Sequence, residues 1–427
     1  MVRTTERRRF EHISIPSHLV DDIVKGDCVL FIGAGASTEG KGTSYWDDLL
    51  VDELAKECDY PTTLPKGLPD VAQYYCQKLD ANREGRLVRL IRDRVSRFMK
   101  TPEAYFTVTT CHSIIATIPY FKVIVTTNWD PFMEHLANVI PIVRDTDMAY
   151  WDDSSRQVLK MHGCITDPLT MVITSSDYEE DLKKRLRSGI CNKIRDLMSI
   201  KTFLFVGYSL TDPSFEIIHN GILARMGKFA RTSFAVVPEV TDKDVELWKT
   251  KGVTMIRALA FPFLEELRNK LIDSEAMFDV NREKVTISTE GEKIADIHME
   301  TSAEQDSNVG MLSSMYQDGL QHALDDLLYG LRLGVTREQL EKELRDDQRS
   351  LAEYGESDYE FRDDEIAYLT GHVRCLEWFL SQDRGPLLSF FSGKRMEPIN
   401  GQEFKRELDE EMPRGSNIRT KRDTQTI

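Results

Sequence analysis

The chain has no paired cysteines. Its seven cysteines stand alone in the sequence, at Cys28, Cys58, Cys76, Cys111, Cys164, Cys191 and Cys375. A structural zinc site needs four thiolate or imidazole ligands at short spacings, and a disulfide framework is indicated by an even number of cysteines. We therefore expect reduced thiols, no metal ligands and no bound zinc.

Long apolar runs and an excess of positive charge are also absent. No stretch approaches the roughly 18 apolar residues of a membrane span, and the first ten residues lack the apolar run of a secretory signal. The net charge of −16 argues against a broad surface for direct nucleic-acid binding. These absences predict a cytoplasmic protein with no membrane association.

The first informative motif is an apolar strand that runs directly into a glycine-rich turn. Four apolar residues, Val29–Ile32, are typical of a parallel strand buried on both faces. A turn without Cβ atoms lets backbone N–H groups approach a pyrophosphate, and here the turn residues are Gly33, Ala34, Gly35 and Ser37. Thr38 replaces the third glycine of the dinucleotide fingerprint, so an ordinary tight turn is the alternative.

Three further apolar segments end in polar residues or glycine. The segment 121–126 precedes Thr127, Asn128 and Asp130, whereas 158–161 precedes His162 and 203–206 precedes Gly207 and Ser209. Because ligands bind at the carboxyl ends of parallel strands, we expect these groups to share one crevice.

Each of these motifs has a simpler interpretation. An Asn-x-Asp sequence after a strand can close a turn through its own side chains. His162 can be an ordinary loop histidine, and Ser209 can cap the following helix. The individual motifs do not decide between these interpretations and a ligand site.

Taken together and in this order, over about residues 20–270, the motifs resemble the sirtuin superfamily, specifically its sirtuin-like NAD-hydrolase branch from bacterial antiviral defence. Residues 33–37 are similar to the Gly-Ala-Gly-x-Ser turn, and 127–130 to the Gln-Asn-Ile-Asp segment with threonine in place of glutamine. Residues 162–163 resemble the catalytic His-Gly pair, and 207–209 the Gly-Thr-Ser motif. The resemblance implies NAD as the substrate, Asn128 and His162 as catalytic residues, and as cofactor-binding residues Gly33, Ala34, Gly35, Ser37, Thr127, Asp130, Gly207 and Ser209.

The side chains at the predicted reaction centre suit cleavage of an N-glycosidic bond. The Asn128 amide offers two donors and an acceptor, so it can hold a water and a ribose hydroxyl together. His162 titrates near neutral pH and can accept a proton from either. The resemblance implies that Asp130 accepts a hydrogen bond from the nicotinamide carboxamide.

The chain also departs from the sirtuin deacylases. It lacks their Cys-x-x-Cys pairs, and a helical insertion of about residues 45–115 stands in place of the recognisable cofactor loop. These departures favour water over acetyl-lysine as the nucleophile, so we predict an NAD hydrolase that yields nicotinamide and ADP-ribose. The alternatives are an NAD-dependent protein deacylase or ADP-ribosyltransferase, and a non-catalytic NAD or ADP-ribose sensor.

Strands that alternate with helices predict an α/β fold with a doubly wound parallel, Rossmann-like sheet. We assign residues 1–280 to this catalytic domain, with additional strands at 170–173, 234–237 and 253–256. The composition predicts a linker over 281–308, a small helical C-terminal domain over 309–395 and a disordered polar tail over 396–427.

The apolar stripes of the C-terminal helices can close their own core or form a surface for self-assembly. The resemblance implies antiphage defence by NAD depletion, an activity that must be restrained in the cell. We therefore expect a homo-oligomer, or a regulatory partner such as a DNA-translocating ATPase or a phage-sensing protein.

Overall fold

The structure is a computed structural model that describes residues 13–37, 50–80, 85–100, 109–137, 139–179, 188–208, 210, 219–220, 227–301, 308–356, 362–381, 384 and 387. The chain divides into two compact units between Glu275 and Ala276. Within the described ranges, none of the helices combines the length and the apolar character that crossing a bilayer requires.

The first unit is built on a seven-stranded sheet in which every strand pair is parallel. Its strands are β1 (Cys28–Ile32), β2 (Val123–Thr126), β3 (Ile140–Ile142), β4 (Gln157–Lys160), β5 (Thr202–Val206), β6 (Ser233–Val237) and β7 (Val253–Arg257). The strand order is β3-β4-β2-β1-β5-β6-β7. The chain therefore extends to one side of β1 and then returns to the other, and such a switch point creates a ligand crevice at the carboxyl ends of the strands.

The described helices of this unit are α1 (Ser17–Val24), α2 (Asp52–Glu57), α3 (Leu68–Leu79), α4 (Gly85–Met99), α5 (Thr110–Thr117), α6 (Phe132–Ala137), α7 (Gly189–Ile200), α8 (Asp242–Thr250) and α9 (Ala260–Asp273). Helices α7 and α8 cover one face of the sheet, where they share a core cluster with Phe31 and Phe205. On the opposite face, the ring of His18 in α1 packs against Phe234. Coverage of both faces confirms the predicted doubly wound α/β fold.

Two details of the sheet differ from the sequence prediction. The short edge strand β3 was not predicted, and the strand predicted at Thr170–Ile173 is wrong. The N–H of Val172 donates to the main-chain oxygen of His162, and that of Ile173 donates to the carboxylate of Asp177. These apolar side chains are buried, but their backbone closes a loop and pairs with no strand.

Helices α2, α3 and α4 lie between β1 and β2, inside the predicted insertion. In α4, Leu87, Ile91 and Val95 recur every fourth residue and are all buried, which is the spacing of one helix face. They form a core cluster that also contains Trp129 and Ile165 from the sheet loops. The insertion thus packs directly on the loops that follow β2 and β4.

The second unit is helical, and its described helices are α10 (Val280–Thr301), α11 (Asn308–Leu333), α12 (Arg337–Glu356) and α13 (Arg362–Leu380). The predicted linker over 281–308 is wrong for most of its length, because α10 occupies it. Ile287 and Ile294, seven residues apart on one helix face, are buried in the core of this unit. The polar composition of that segment concealed this narrow apolar stripe. The predicted tail over 396–427 lies outside the described residues.

Candidate functional site

The strand register brings together the four strand ends that the sequence singled out. Ile32 pairs with Thr126 and with Val206, and Thr126 pairs with Lys160. Thr126 and Lys160 are thus directly paired on the neighbouring strands β2 and β4. Asn128 and His162 each lie two residues after this pair. Adjacent strands lie about 4.8 Å apart, so the two residues emerge side by side at the carboxyl edge of the sheet.

The turn after β1 is in backbone contact with the loop after β5. The N–H of Gly33 donates to the oxygen of Val206 at 3.0 Å, and that of Gly35 donates to the oxygen of Gly207 at 2.8 Å. A Cβ atom at Gly33 would lie 2.4 Å from the Gly207 oxygen, and one at Gly207 would lie 2.2 Å from the Ala36 nitrogen. The glycines therefore let two loops touch. We expected their N–H groups to face a pyrophosphate, but that of Gly33 donates to the last residue of β5 and that of Gly35 donates to the loop that follows it.

Ser37 closes this turn in an unusual environment. Its side chain is fully buried, and its Oγ has no hydrogen-bond partner among the described residues. A buried hydroxyl without a partner costs about 1–3 kcal/mol, so a polar ligand group that bonded to Ser37 would recover this loss. The predicted Ser209 lies outside the described residues, whereas the ring of its neighbour Tyr208 packs on Phe31 at 4.3 Å between centroids.

Asn128 is buried and tied to β1 by a short chain of hydrogen bonds. The Thr126 hydroxyl donates to the oxygen of Ile32 at 2.9 Å and accepts from the N–H of Asn128 at 3.0 Å. The Asn128 amide Nδ2 donates to the oxygen of Gly33 at 3.3 Å. This bond uses one of the two amide N–H groups and fixes the side chain beside the glycine turn. Thr127, next to it, is half-buried.

His162 is also buried, and its loop is fixed by Gly163. Gly163 has φ = +80°, and a Cβ there would lie 2.0 Å from the Thr170 oxygen, so this position requires glycine. The imidazole Nδ1 lies 3.4 Å from the hydroxyl of Tyr178, whose ring is almost perpendicular to it. The backbone contacts set the position of His162, and the long Tyr178 contact helps to set its ring orientation.

Asp130 lies at the start of α6, where its Oδ1 accepts a hydrogen bond from the N–H of Phe132 at 3.3 Å. This oxygen therefore closes a local turn, which is the simpler interpretation that the Asn-x-Asp sequence allowed. The main-chain oxygen of Asp130 accepts a hydrogen bond from Lys160 Nζ at 2.5 Å. The conformation of this loop thus depends on hydrogen bonds to both the side chain and the main chain of Asp130.

Lys160 was missed by the sequence analysis, although it is the one charged residue in the apolar segment 158–161. It is completely buried and pairs with Glu134 at 2.8 Å. Burial by itself would lower the pKa of Lys160, but the charges of Glu134, Cys164 and Asp130 outweigh burial and raise it above its usual range. Lys160 is therefore a charged ammonium under the loop that carries Asn128 and Asp130.

The helical insertion is tied to the segment that carries Tyr178. The Ser175 hydroxyl donates to the carboxylate of Asp70 at 2.6 Å, and the N–H of Ser176 donates to Gln73 at 3.0 Å. Asp70 and Gln73 belong to α3. The insertion therefore contacts both the loop after β2, through Trp129, and the segment whose Tyr178 touches His162.

Comparison with known proteins agrees with this architecture. The family model described as the SIR2-like domain matches residues 122–256, the region from β2 to β7 that carries Asn128, His162 and Gly207. The resemblance to the sirtuin superfamily is thus confirmed for the strands β2 to β7, whereas β1 and the glycine turn lie outside the matched residues.

Several curated proteins are similar to part of this chain. Over 232 residues the chain is 29% identical to the NAD(+) hydrolase ThsA of Bacillus cereus strain MSX-D12, an alignment of 53% of this chain and 46% of the relative. Over 287 residues it is 28% identical to the NAD(+) hydrolase ThsA of Enterococcus faecium, covering 64% and 51%. The corresponding protein of Cytobacillus dafuensis is 30% identical over 220 residues, covering 50% and 42%. The chain spans about half the length of the curated relatives that it matches.

Proposed function

We propose that this protein hydrolyses NAD to nicotinamide and ADP-ribose. The observation that carries the proposal is the placement of Asn128 and His162, both buried, at the ends of two hydrogen-bonded parallel strands beside the glycine turn. The SIR2-like match and the relatives named NAD(+) hydrolase support the same reaction.

In the proposed reaction, the bond between the ribose anomeric carbon and the nicotinamide nitrogen breaks, and its electron pair leaves with nicotinamide, which becomes neutral. The ribosyl carbon passes through an oxocarbenium-like state that a water molecule captures. His162 accepts a proton from this water, and Asn128 holds the water and a ribose hydroxyl in line. Such proton transfer is typically worth about 10²- to 10⁴-fold in rate.

The remaining predicted residues are proposed to bind the dinucleotide. Ser37 suits this role because its buried hydroxyl lacks a partner among the described residues. Asp130 is proposed to hold the carboxamide through the oxygen that does not cap α6. The other proposed contacts come from the glycine turn and the neighbouring strand ends, namely Gly33, Ala34, Gly35, Thr127, Gly207 and Ser209. Because the N–H groups of Gly33 and Gly35 are used within the fold, these two glycines are proposed to let the dinucleotide approach the backbone closely and not to donate to it.

Water is the proposed nucleophile because the chain lacks the Cys-x-x-Cys pairs of the deacylases and carries the helical insertion, which packs on the loops that follow β2 and β4. In a cell such hydrolysis would deplete NAD, which fits the antiphage role implied by the family resemblance. We propose that a homo-oligomer, or a partner such as a DNA-translocating ATPase or a phage-sensing protein, controls the activity.

The test is to incubate the purified full chain with NAD, alone and with candidate activators, and to follow nicotinamide release. We expect Asn128→Ala and His162→Ala to lose most of the activity. The matched controls are Asn192→Ala and His135→Ala, which alter exposed residues of the same types. Undiminished release in Asn128→Ala and His162→Ala would overturn the assignment, and calorimetric binding of NAD without turnover under every condition would favour a sensor.

A further inference from the structure

The second unit contains a convergence of metal-ligating side chains far along the sequence from the proposed NAD site. Asp326 of α11, Glu343 of α12 and His372 of α13 each offer one ligand atom, and these atoms all lie within 4.8 Å of one another. Two carboxylates and one imidazole, each from a different helix, therefore converge.

The helix packing that creates this convergence is specific. Helices α11 and α13 approach at two glycines, since a Cβ at Gly319 would lie 2.0 Å from the Tyr368 oxygen and one at Gly371 would lie 2.1 Å from the Tyr316 oxygen. Their backbones thus touch one residue before His372 and two helical turns before Asp326. The direct contact fixes the register in which His372 faces Asp326.

The hydrogen bonding of His372 orients one ring nitrogen toward the carboxylates. Its Nδ1 lies 2.8 Å from Asp347 Oδ2, and its Nε2 lies 3.7 Å from Asp326 Oδ2. Because a carboxylate can only accept, Nδ1 carries the hydrogen and Nε2 presents its lone pair in the neutral ring. A histidine that ligates a metal characteristically donates its second nitrogen to a carboxylate in this way.

The charges of the cluster are unbalanced without a further cation. Asp326, Glu343 and Asp347 can supply three negative charges, whereas His372 can supply one positive charge. A protonated His372 could donate to Asp347 and Asp326, but it has no third N–H for Glu343.

We propose that Asp326, Glu343 and His372 bind one divalent transition-metal ion of the Zn²⁺ or Mn²⁺ class, and that Asp347 is a positioning residue for the His372 ring. Oxygen and imidazole ligands suit these ions. Three ligand atoms that surround one ion tetrahedrally with bonds of about 2.1 Å lie about 3.4 Å apart, so the side chains must close in by about 1 Å. The Asp326 side chain is about half exposed, which gives it room to move and gives the ion a path of entry.

Such a site joins α11, α12 and α13 and differs from a thiolate zinc module, whose Cys-x-x-Cys pairs the sequence lacks. We expected no metal ligands because the cysteines do not stand at the short spacings of a zinc module. Here the ligands are 17 and 29 residues apart along the chain, and only the helix packing brings them together.

The test uses the full chain after dialysis against a chelator. Equilibrium dialysis with Mn²⁺, followed by electron paramagnetic resonance, and with Zn²⁺, followed by atomic spectrometry, should each give about one bound ion per chain. Mn²⁺ binds thiolates poorly, so its stoichiometry is independent of the seven cysteines. Glu343→Gln and Asp326→Asn, which preserve side-chain shape, should each weaken Mn²⁺ binding at least tenfold.

Two further variants separate a metal site from a structural ion pair. Asp347→Asn should weaken Mn²⁺ binding by about 10- to 100-fold at unchanged stoichiometry, as expected for a group behind a ligand. Asp346→Asn, which alters a neighbouring acid paired with Arg349, should leave the affinity unchanged. Failure of the wild-type chain to bind either ion stoichiometrically, or equal affinity in Glu343→Gln and the wild type, would overturn the proposal and leave His372 as a simple ion-pair partner.

Discussion

Lys160 Nζ donates a hydrogen bond to the main-chain oxygen of Asp130 at 2.5 Å, and it also pairs with Glu134 at 2.8 Å. The ammonium is fully buried, and Glu134 is nearly so. A charge in this position fixes the loop after β2, from which Asn128 and Asp130 extend. The integrity of the proposed reaction centre therefore depends on an ion pair beneath it.

Replacement of Lys160 by methionine should lower the free energy of unfolding by about 3–5 kcal/mol, because it leaves Glu134 buried without its partner. The double variant Lys160→Met with Glu134→Leu should regain much of this loss, since well-packed apolar residues often replace a buried ion pair without cost. Urea unfolding followed by fluorescence measures both. A loss below about 1 kcal/mol in the single variant would show that the pair contributes little.

Gly207→Ala should separate the loops that follow β1 and β5. Gly207 has φ = +62°, and its added Cβ would lie within 2.5 Å of backbone atoms of Gly35 and Ala36. Gly227→Ala is a matched control, because Gly227 also has a positive φ of 51° but has no atom within 4 Å of an added Cβ.

We expect the control to lose about 1 kcal/mol of stability from backbone strain alone and to keep its rate of nicotinamide release. Gly207→Ala should lose more stability, together with most of that rate. Equal effects of the two substitutions in thermal unfolding and in the NAD assay would contradict the contact between the loops.

Tyr178→Phe should have only a modest effect on nicotinamide release. The contact between its hydroxyl and His162 Nδ1 is long, at 3.4 Å, and a neutral hydrogen bond contributes about 0.5–1.5 kcal/mol. We therefore expect the rate to fall by no more than about tenfold, and Tyr150→Phe, at an exposed tyrosine, to have no effect. A loss as large as that of His162→Ala would instead give the Tyr178 hydroxyl a role in the reaction.

His219 gives the stability a pH dependence whose sign can be stated. Burial, and then the charge of Lys251, lowers the pKa of His219 to about 4, whereas the pKa in the unfolded chain is about 6.5. Between these two pKa values the unfolded chain binds more protons at this histidine than the folded chain does. The contribution of the neutral, buried His219 to the free energy of unfolding is therefore complete above pH of about 6.5 and decreases as the pH falls toward 4. Over this pH range the free energy of unfolding should fall by on the order of 3 kcal/mol.

His219→Asn removes this titration, so the difference in unfolding free energy between wild type and variant should become smaller, or reverse, as the pH falls. Urea unfolding at several pH values between the two pKa values measures this difference directly. The protonation of surface carboxylates affects wild type and variant equally, so it cancels in the difference. A difference that stays constant with pH would mean that His219 titrates alike in the folded and unfolded chains.

The sequence predicted the sheet well because strands buried on both faces are continuous apolar runs, as at Val29–Ile32 and Phe203–Val206. It also predicted which strand ends lie side by side at the carboxyl edge of the sheet, since glycine and polar residues directly follow those runs. It could not find strand β3, whose three residues are too few to show a pattern, or the helical nature of 280–301, where the two buried isoleucines, Ile287 and Ile294, stand in a mostly polar sequence.

The sequence was less informative about what each site residue contacts. The glycines at 33 and 35 suggest an approach to phosphate, but the structure uses them for contact with Gly207, and no local pattern encodes a partner so far along the chain. Likewise, Lys160 and Glu134 are 26 residues apart, and only strand pairing places one beneath the other.

A double-mutant cycle on nicotinamide release tests most directly whether Asn128 and His162 act on the same ribose carbon. The rates of wild type, Asn128→Ala, His162→Ala and the double variant are measured under conditions in which the wild type turns over NAD. If the two side chains act as a unit, each single substitution should lower the rate by about 10²- to 10⁴-fold, and the double variant should be little slower than the slower single variant. Rates close to wild type in either single variant, or losses that multiply in the double variant, would contradict a shared reaction centre.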